Sequence, residues 1–306
     1  FGDLNISNNA GTGLYVDTKS LGTTFALNNT SGSVDTTGGS ALFLDPLTTN
    51  MTFGTVTSAN STGAGVTLDA VSGSLTIGTL NVSNSAGDGV YVNNSTGTFN
   101  INGGSITGVL GDSFHVNGGS ANVTYDGTIN SSANRVAFIT GTTGGSVTFG
   151  GLIEGEGPGQ GIRLTNNAGD VTFNGDVSLG AATALSNEAV YMTNNSGSIT
   201  FGNLDVNVNT VTALGAIYGA NNSLVTIGGG NVTSVGAAAL NFDLSKIDIT
   251  LSSITASGGT DGLDLTNLAS GSSLNSTTTT ITGVEQTGIK LLNSEGAYNC
   301  GTLEIN

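Results

Sequence analysis

Cysteine, histidine, proline and positive charge are all scarce in this chain, and each scarcity removes a class of function. Cys300 is the single cysteine in 306 residues, so no intrachain disulfide can form. That is compatible with the cytoplasm, or with a microbial exterior stabilised by other means. One Cys and one His leave no Cys/His cluster for a metal. Five Lys and Arg face 21 Asp and Glu, for a net charge of −16. Phosphate-neutralising contact with nucleic acid is thereby excluded, as is direct attraction to an anionic membrane surface. The acidic groups are scattered and form no tail. No run approaches the roughly 18 apolar residues of a membrane-spanning helix, so no direct membrane insertion is expected. No signal-peptide pattern is visible.

What is abundant is glycine, 50 residues against 2 prolines, with Thr, Ser and Asn carrying the polarity in a chain only 8% charged. These residues recur in order. Val147-Thr148-Phe149-Gly150 returns as Met51-Thr52-Phe53-Gly54, Leu75-Thr76-Ile77-Gly78, Val123-Thr124-Tyr125, Ile199-Thr200-Phe201-Gly202 and Ile249-Thr250-Leu251. Thr24-Phe25 is a further copy, and at the front Phe1-Gly2 is a copy cut short. From Phe1 to Cys300 the third residue of successive copies returns with a near-fixed period of about 24 residues, and a period in this range marks a solenoid.

One period, Leu75 to Thr98, shows the plan. Leu75/Ile77, Leu80/Val82 and Val90/Val92 each flank a single residue, the alternating rhythm of a strand with one buried face. Gly, Asn and Ser fill the breaks, as turns require. Three short strands per period of about 24 residues predict an all-β, three-stranded parallel β-helix of about 12–13 rungs, forming one domain over residues 1–306. The same register predicts Leu152, Ile162 and Leu164 inward. The longest intervals place insertions within Thr30–Leu47 and near Leu179–Asn187, in turns of the kind solenoids use for binding. The chain starts and stops inside a repeat and reads as a fragment of a longer repeat protein.

Two outward columns and one turn column stand out. The third strand presents Tyr15, Phe43, Thr67, Tyr91, His115, Ile139, Arg163, Tyr191 and Tyr218, then Asn241, Asp264 and Lys290. Tyr15, Phe43, Tyr91, His115, Arg163, Tyr191 and Tyr218 are the candidate ligand-binding set, because rings with polar tips can hold sugars by stacking and hydrogen bonds. The competing reading is that aromatic residues favour strands and stabilise pairs across rungs. The first strand presents a Thr column, Thr52, Thr76, Thr124, Thr148, Thr172, Thr200, Thr226 and Thr250, with Asn at 100, 275 and 299. It resembles the surface of β-solenoid ice-binding proteins, although it lacks their second Thr column. Thr is also simply a good polar strand former. Asn94, Asn166, Asn194, Asn221, Asn267 and Asn293 follow the third strand at a fixed distance, which suits a stacked amide ladder.

Among the carboxylates, Glu154 and Glu156 share a loop near Arg163, and with His115 they make the one combination with acid, base and cation types. A solvated loop with a chance ion pair is the better explanation of them. The motifs of pectin-hydrolysing β-helices are absent. Gly258-Gly259-Thr260-Asp261-Gly262-Leu263-Asp264 looks like the Gly/Asp-rich calcium-binding nonapeptide, but a single copy lacks the tandem partners such sites need. Calcium is therefore a secondary expectation, and otherwise no cofactor and no enzymatic activity are expected. Asn-x-Ser/Thr sequons such as Asn81-Val82-Ser83 arise by chance in a chain of this composition.

The strand type Val147-Thr148-Phe149-Gly150, the strand type Gly89-Val90-Tyr91-Val92 and the Asn-rich turn after it resemble the β-helical repeat regions of large secreted microbial surface proteins. Adhesins of the autotransporter and filamentous-haemagglutinin kind are among them. The resemblance is architectural. It implies a right-handed, extracellular, non-enzymatic solenoid at a cell surface, structural or adhesive, able to stack end to end with other copies. Its expected partners are a cell-surface or environmental polysaccharide, or further copies of itself.

Overall fold

The computed structural model describes residues 1–20, 25–132 and 134–306. Among these every regular element is a strand, and every register is parallel. The chain divides into two compact units, Phe1–Leu152 with Ala168–Asp170, and Ile153–Asn167 with Val171–Asn306.

The turn at Ser72–Asn93 realises the predicted plan. One long strand, Ser72–Ser83, carries the first two alternating trios, and Val90–Asn93 carries the third. Leu75, Ile77, Leu80, Val82, Val90 and Val92 are all buried. The next turn stacks in register, with Phe99 on Leu75, Ile101 on Ile77, Ile106 on Val82 and Phe114 on Val90. Each unit is thus a column of turns whose apolar residues are buried by the turns above and below.

In the first unit the third strands Leu14–Asp17, Leu42–Asp45, Val66–Asp69, Val90–Asn93, Phe114–Asn117 and Ala137–Thr140 pair in that order. In the second the order is Ile162–Thr165, Val190–Thr193, Ile217–Ala220, Leu240–Asp243, Asp261–Thr266 and Thr287–Leu292. The solenoid therefore has about 12 turns of about 24 residues.

Aromatic side chains fill the cross-section. Phe114 meets Tyr125 at 5.4 Å and Phe149 at 5.2 Å, joining the third strand to the first across the interior. Phe173 and Phe201 stack at 4.7 Å in the second unit. Each fully buried side chain of this size contributes about 1.5–3 kcal/mol. Tyr125 is the polar exception. Burial holds its phenol protonated far into the alkaline range, and its hydroxyl donates to the Thr128 carbonyl at 2.9 Å. Tyr125→Phe removes that bond and is expected to lower stability by about 1 kcal/mol, read from the urea midpoint at unchanged slope.

The structure corrects the sequence register in five places. Phe138, not Ile139, lies opposite His115, because this turn is one residue shorter than the one before it; Ile139 is buried. Leu152 is 39% exposed and Ile153 is buried in its place. Thr226 pairs with Asp248, so Thr250, Asn275 and Asn299 form a separate short column further along the strand. A slip of one full alternation preserves the pattern and is invisible to it. Phe25 is exposed and Ala26–Asn28 pairs with Thr48–Asn50 instead, while Thr24 lies outside the described residues. Finally, Ser33 pairs with Thr55 and Leu42 with Val66, neither interval longer than the common period, so Thr30–Leu47 holds no insertion. The second insertion is where it was expected. Ile153 pairs with Val177 over the common period, whereas Ile162 pairs with Val190 over a longer one, which places the extra residues between Val177 and Val190.

Candidate functional site

The third strands set two outward columns side by side. The ring column of the first unit contains Tyr15 and Phe43, stacked at 4.8 Å and 8°, then Thr67, then Tyr91, His115 and Phe138. His115 lies 4.9 Å from Tyr91 and 4.7 Å from Phe138, and the Arg135 guanidinium covers Phe138 at 3.8 Å. In the second unit Arg163 covers Tyr191 at 4.2 Å, and Tyr191 lies 5.1 Å from Tyr218. Burial and then the nearby Tyr191, Asp243 and Glu188 raise the Tyr218 phenol above its ordinary range, so its hydroxyl stays protonated at neutral pH. Tyr15 and Phe43 are parallel, Tyr91 and His115 are tilted by 53° and Tyr191 and Tyr218 by 35°, and the two guanidinium groups each cover a ring face. A ring face covered by a neighbouring ring or guanidinium is closed to a sugar, whereas sugar stacking needs open ring faces.

Beyond the ring position on each strand of the first unit runs a polar column, Asp17, Asp45, Asp69, Asn93 and Asn117. Asn117 donates to Asn93 at 2.9 Å and Asn93 to Asp69 at 2.7 Å. Stacked carboxylates repel, and Lys19 offsets this with its Nζ 2.5 Å from Asp45 and 3.6 Å from Asp69. The hydrogen bond to Asp45 raises the Lys19 ammonium above its usual value.

The sequence combination of Glu154, Glu156, Arg163 and His115 separates into unrelated contacts. The Glu156 carboxylate accepts from the amides of Ala182 and Thr183, at 3.0 and 2.7 Å, and so closes the insertion loop. Glu154 points outward from the strand Ile153–Gly155. Arg163 lies on Tyr191. His115 belongs to another cluster, which the strand-by-strand reading missed.

That cluster is Asp88, Asp112, His115 and Arg135. Asp88 and Asp112 occupy the same phase of consecutive turns, as Gly87-Asp88 and Gly111-Asp112. This repeated Gly-Asp pair is the sequence signal that could have revealed them. Gly111 makes the approach feasible, since a Cβ there would lie 2.5 Å from Asp88 Oδ1. Asp88 Oδ1 accepts from the Asp112 amide at 2.8 Å, and Asp88 Oδ2 lies 2.9 Å from His115 Nδ1. Asp112 is buried and gripped at both oxygens by Arg135, Nε at 2.7 Å and Nη2 at 2.8 Å. Asp112 Oδ2 is also 3.7 Å from His115 Nδ1. His115 Nε2 is enclosed and has no hydrogen-bond partner among the described residues. An enclosed Nε2 cannot meet a substrate proton, so the Asp–His pair is not arranged as an accessible general base.

In the second unit a cleft of about 370 Å³ opens at the corner between second and third strands. Leu214, Ala237, Asn241, Asp261, Asp264 and Glu285 are among its lining residues. Two of these carboxylates come from the Gly/Asp-rich run at 258–264. Lys290 pairs with Asp264 at 2.9 Å. Among the described residues, three metal-ligating side chains come within 4.8 Å of one another at Asp88, Asp112 and His115, and the cleft carboxylates do not reach that convergence.

The Asn turn column also has a clear geometry. Asn94, Asn166, Asn194, Asn221, Asn267 and Asn293 all have positive φ, between 45° and 57°, which Asn tolerates better than other side chains. Asn221 donates to Asn194 at 3.0 Å and Asn293 to Asn267 at 3.2 Å. The buried ladder lies at the next position in the chain. Asn167 donates to Asn195 at 2.9 Å, Asn195 to Asn222 at 2.8 Å, and Asn222 to Ser245 at 3.3 Å.

Comparison of the chain with known protein families, curated proteins and solved structures finds no match.

Proposed function

We propose that the chain is a structural β-solenoid of a secreted microbial surface protein, a stalk that holds other surfaces apart. The observation that carries this reading is that its outward polar and aromatic groups engage one another along the axis. Rings stack on rings and guanidinium groups, amides bond to amides, and Asp88, Asp112 and Glu156 are held by neighbouring donors. Groups used in this way bind turn to turn, which suits a chain whose work is to keep its shape. The −16 charge and the uncharged Thr, Ser and Asn surface favour solvation outside the cell without attachment to anionic lipid.

The alternative worth testing is polysaccharide binding on the ring column, for which Tyr191 and Tyr218 at 5.1 Å are the closest approach to a platform. The experiment is a glycan array probed with the parent chain and with Tyr191→Ala/Tyr218→Ala. A stalk gives no retention above an acidic control protein. Saturable retention on one glycan class, lost in the double variant, overturns the stalk in favour of the platform. Protease shaving of intact source cells tests location, because a surface stalk releases its peptides and a cytoplasmic protein does not. Ice binding through Thr52, Thr76, Thr124 and Thr148 would show itself as thermal hysteresis in the parent chain. The stalk reading predicts none.

A further inference from the structure

We infer that Asp88, Asp112 and His115 bind a divalent transition-metal ion of the zinc class, joining two consecutive turns of the first unit. The three ligand atoms are Asp88 Oδ2, Asp112 Oδ2 and His115 Nδ1, a mixed oxygen and nitrogen set of the kind such ions accept. All three lie within 4.8 Å of one another. An ion with contacts of about 2.1 Å places neighbouring ligands about 3.0 Å apart in octahedral geometry and about 3.4 Å apart in tetrahedral geometry. The observed separations from Nδ1 are 2.9 Å to Asp88 and 3.7 Å to Asp112. These two separations lie within about 0.5 Å of the ideal values, and the third, between the two carboxylates, is at most 4.8 Å, so one ion reaches all three after side-chain shifts on the order of 1 Å.

The ligands are held before any ion arrives. Asp88 is aimed by the Asp112 amide on its other oxygen, at 2.8 Å. Asp112 is aimed by Arg135, whose Nε takes Oδ1 at 2.7 Å. The His115 ring is fixed between Tyr91 and Phe138. Support of this type from a second layer of hydrogen bonds separates a metal site from a chance meeting of acidic side chains. The three residues come from two turn corners and the strand that follows the second, so one ion ties successive turns together. On metal binding the ion takes the place of the Nδ1 proton and the ring's proton sits on the enclosed Nε2, which has no acceptor among the described residues, a cost that the three metal contacts must exceed. Arg135 is the opposing element. Its guanidinium already neutralises Asp112 and competes with the ion for Oδ2 at 2.8 Å.

Arg135 makes the test decisive. The full chain, stripped with chelator, is titrated with zinc chloride by calorimetry, and its thermal midpoint is followed with and without zinc. The expected result is one ion per chain and a zinc-dependent rise in midpoint. His115→Gln and Asp88→Asn should each weaken binding at least tenfold, while Arg135→Gln should tighten it by removing the competing cation. Cobalt(II) in place of zinc should give a visible absorption band that His115→Gln abolishes. Absence of a one-to-one event overturns the site. So does zinc binding that survives both ligand variants, or that calcium displaces at equal concentration, since those outcomes describe scattered surface carboxylates. If one ligand variant fails to fold, the other variant and the cobalt(II) band of the parent chain still decide.

Discussion

Gly104→Ala is expected to destabilise the chain by at least about 4 kcal/mol, among the largest effects a single methyl group can have. Gly104 opens the second strand of its turn at φ +108°, a conformation that L side chains rarely adopt. A Cβ built there lies 1.9 Å from the Leu80 carbonyl oxygen and 2.6 Å from the Leu80 backbone carbon and nitrogen. No rotamer can relieve a clash between Cβ and backbone. Leu80 cannot retreat either, because its amide is bonded to the Gly103 carbonyl at 2.9 Å and its strand is in register with the next turn. The same geometry recurs at Gly32 over Leu4 and at Gly230 over Leu204, with φ of 140° and 115°. Gly63 is the control, since a Cβ there meets nothing within 4 Å. Gly63→Ala should fall within about 0.5 kcal/mol of the parent. Urea denaturation of the two variants side by side measures the difference. A Gly104→Ala chain within about 1 kcal/mol of the parent would mean that the turn can reshape itself.

Asn195→Asp should have a comparable effect with a pH dependence of its own. The Asn195 amide donates to the Leu164 carbonyl at 3.0 Å and to Asn222 Oδ1 at 2.8 Å, and its oxygen accepts from the Asn167 amide and side chain. A carboxylate keeps the accepting role and loses both donations, so oxygen faces oxygen at two buried contacts. A buried polar network broken on one side by an unpaired charge costs about 3–5 kcal/mol. The charged form is disfavoured in the fold, so the folded pKa of the new carboxyl lies above its unfolded value of about 3.9. The folded state then binds the extra proton more readily than the unfolded state does. The gap between variant and parent should be widest at pH 7, narrow as pH falls through the folded pKa, and level off below the unfolded one. A gap that does not change between pH 7 and pH 4 would show that the lost amide geometry, not the charge, is responsible.

The fold was legible because two periodicities agree. Short-range alternation defined each strand, and recurrence at the length of one turn defined the stacking, so Leu75, Phe99 and Val123 could be placed in one column without coordinates. The register errors have a common physical origin. Alternation repeats at every second position and cannot detect a slip of that size, which hid Asp248 behind Thr250. Turns absorb single residues without disturbing the strands, which exchanged Phe138 for Ile139. The exposed Asn ladder was found where it forms, as in Asn221 to Asn194, but the buried layer behind it was missed, because the two asparagines are adjacent in the motif, as in Asn194-Asn195. The Asp88 cluster was harder to see for a different reason. Its carboxylates lie in turn corners, where strand patterns say nothing, and its fourth member, Arg135, comes from a further turn. A search by phase within the repeat would have aligned Gly87-Asp88 with Gly111-Asp112.

The two layers of asparagine also set how the chain ages. An exposed Asn in a tight turn decays when the following backbone nitrogen attacks the side-chain amide and closes a succinimide ring. After Asn166, Asn194, Asn221 and Asn267 that nitrogen is already engaged. The Asn167 amide, which follows Asn166, is bonded to Asn195, the Asn195 amide to Asn222, the Asn222 amide to Ser245 and the Leu268 amide to Ser294. Each turn shields the vulnerable asparagine of its neighbour from its own backbone. The ladder that holds the corners together thereby slows the chemical clock of the residues outside it.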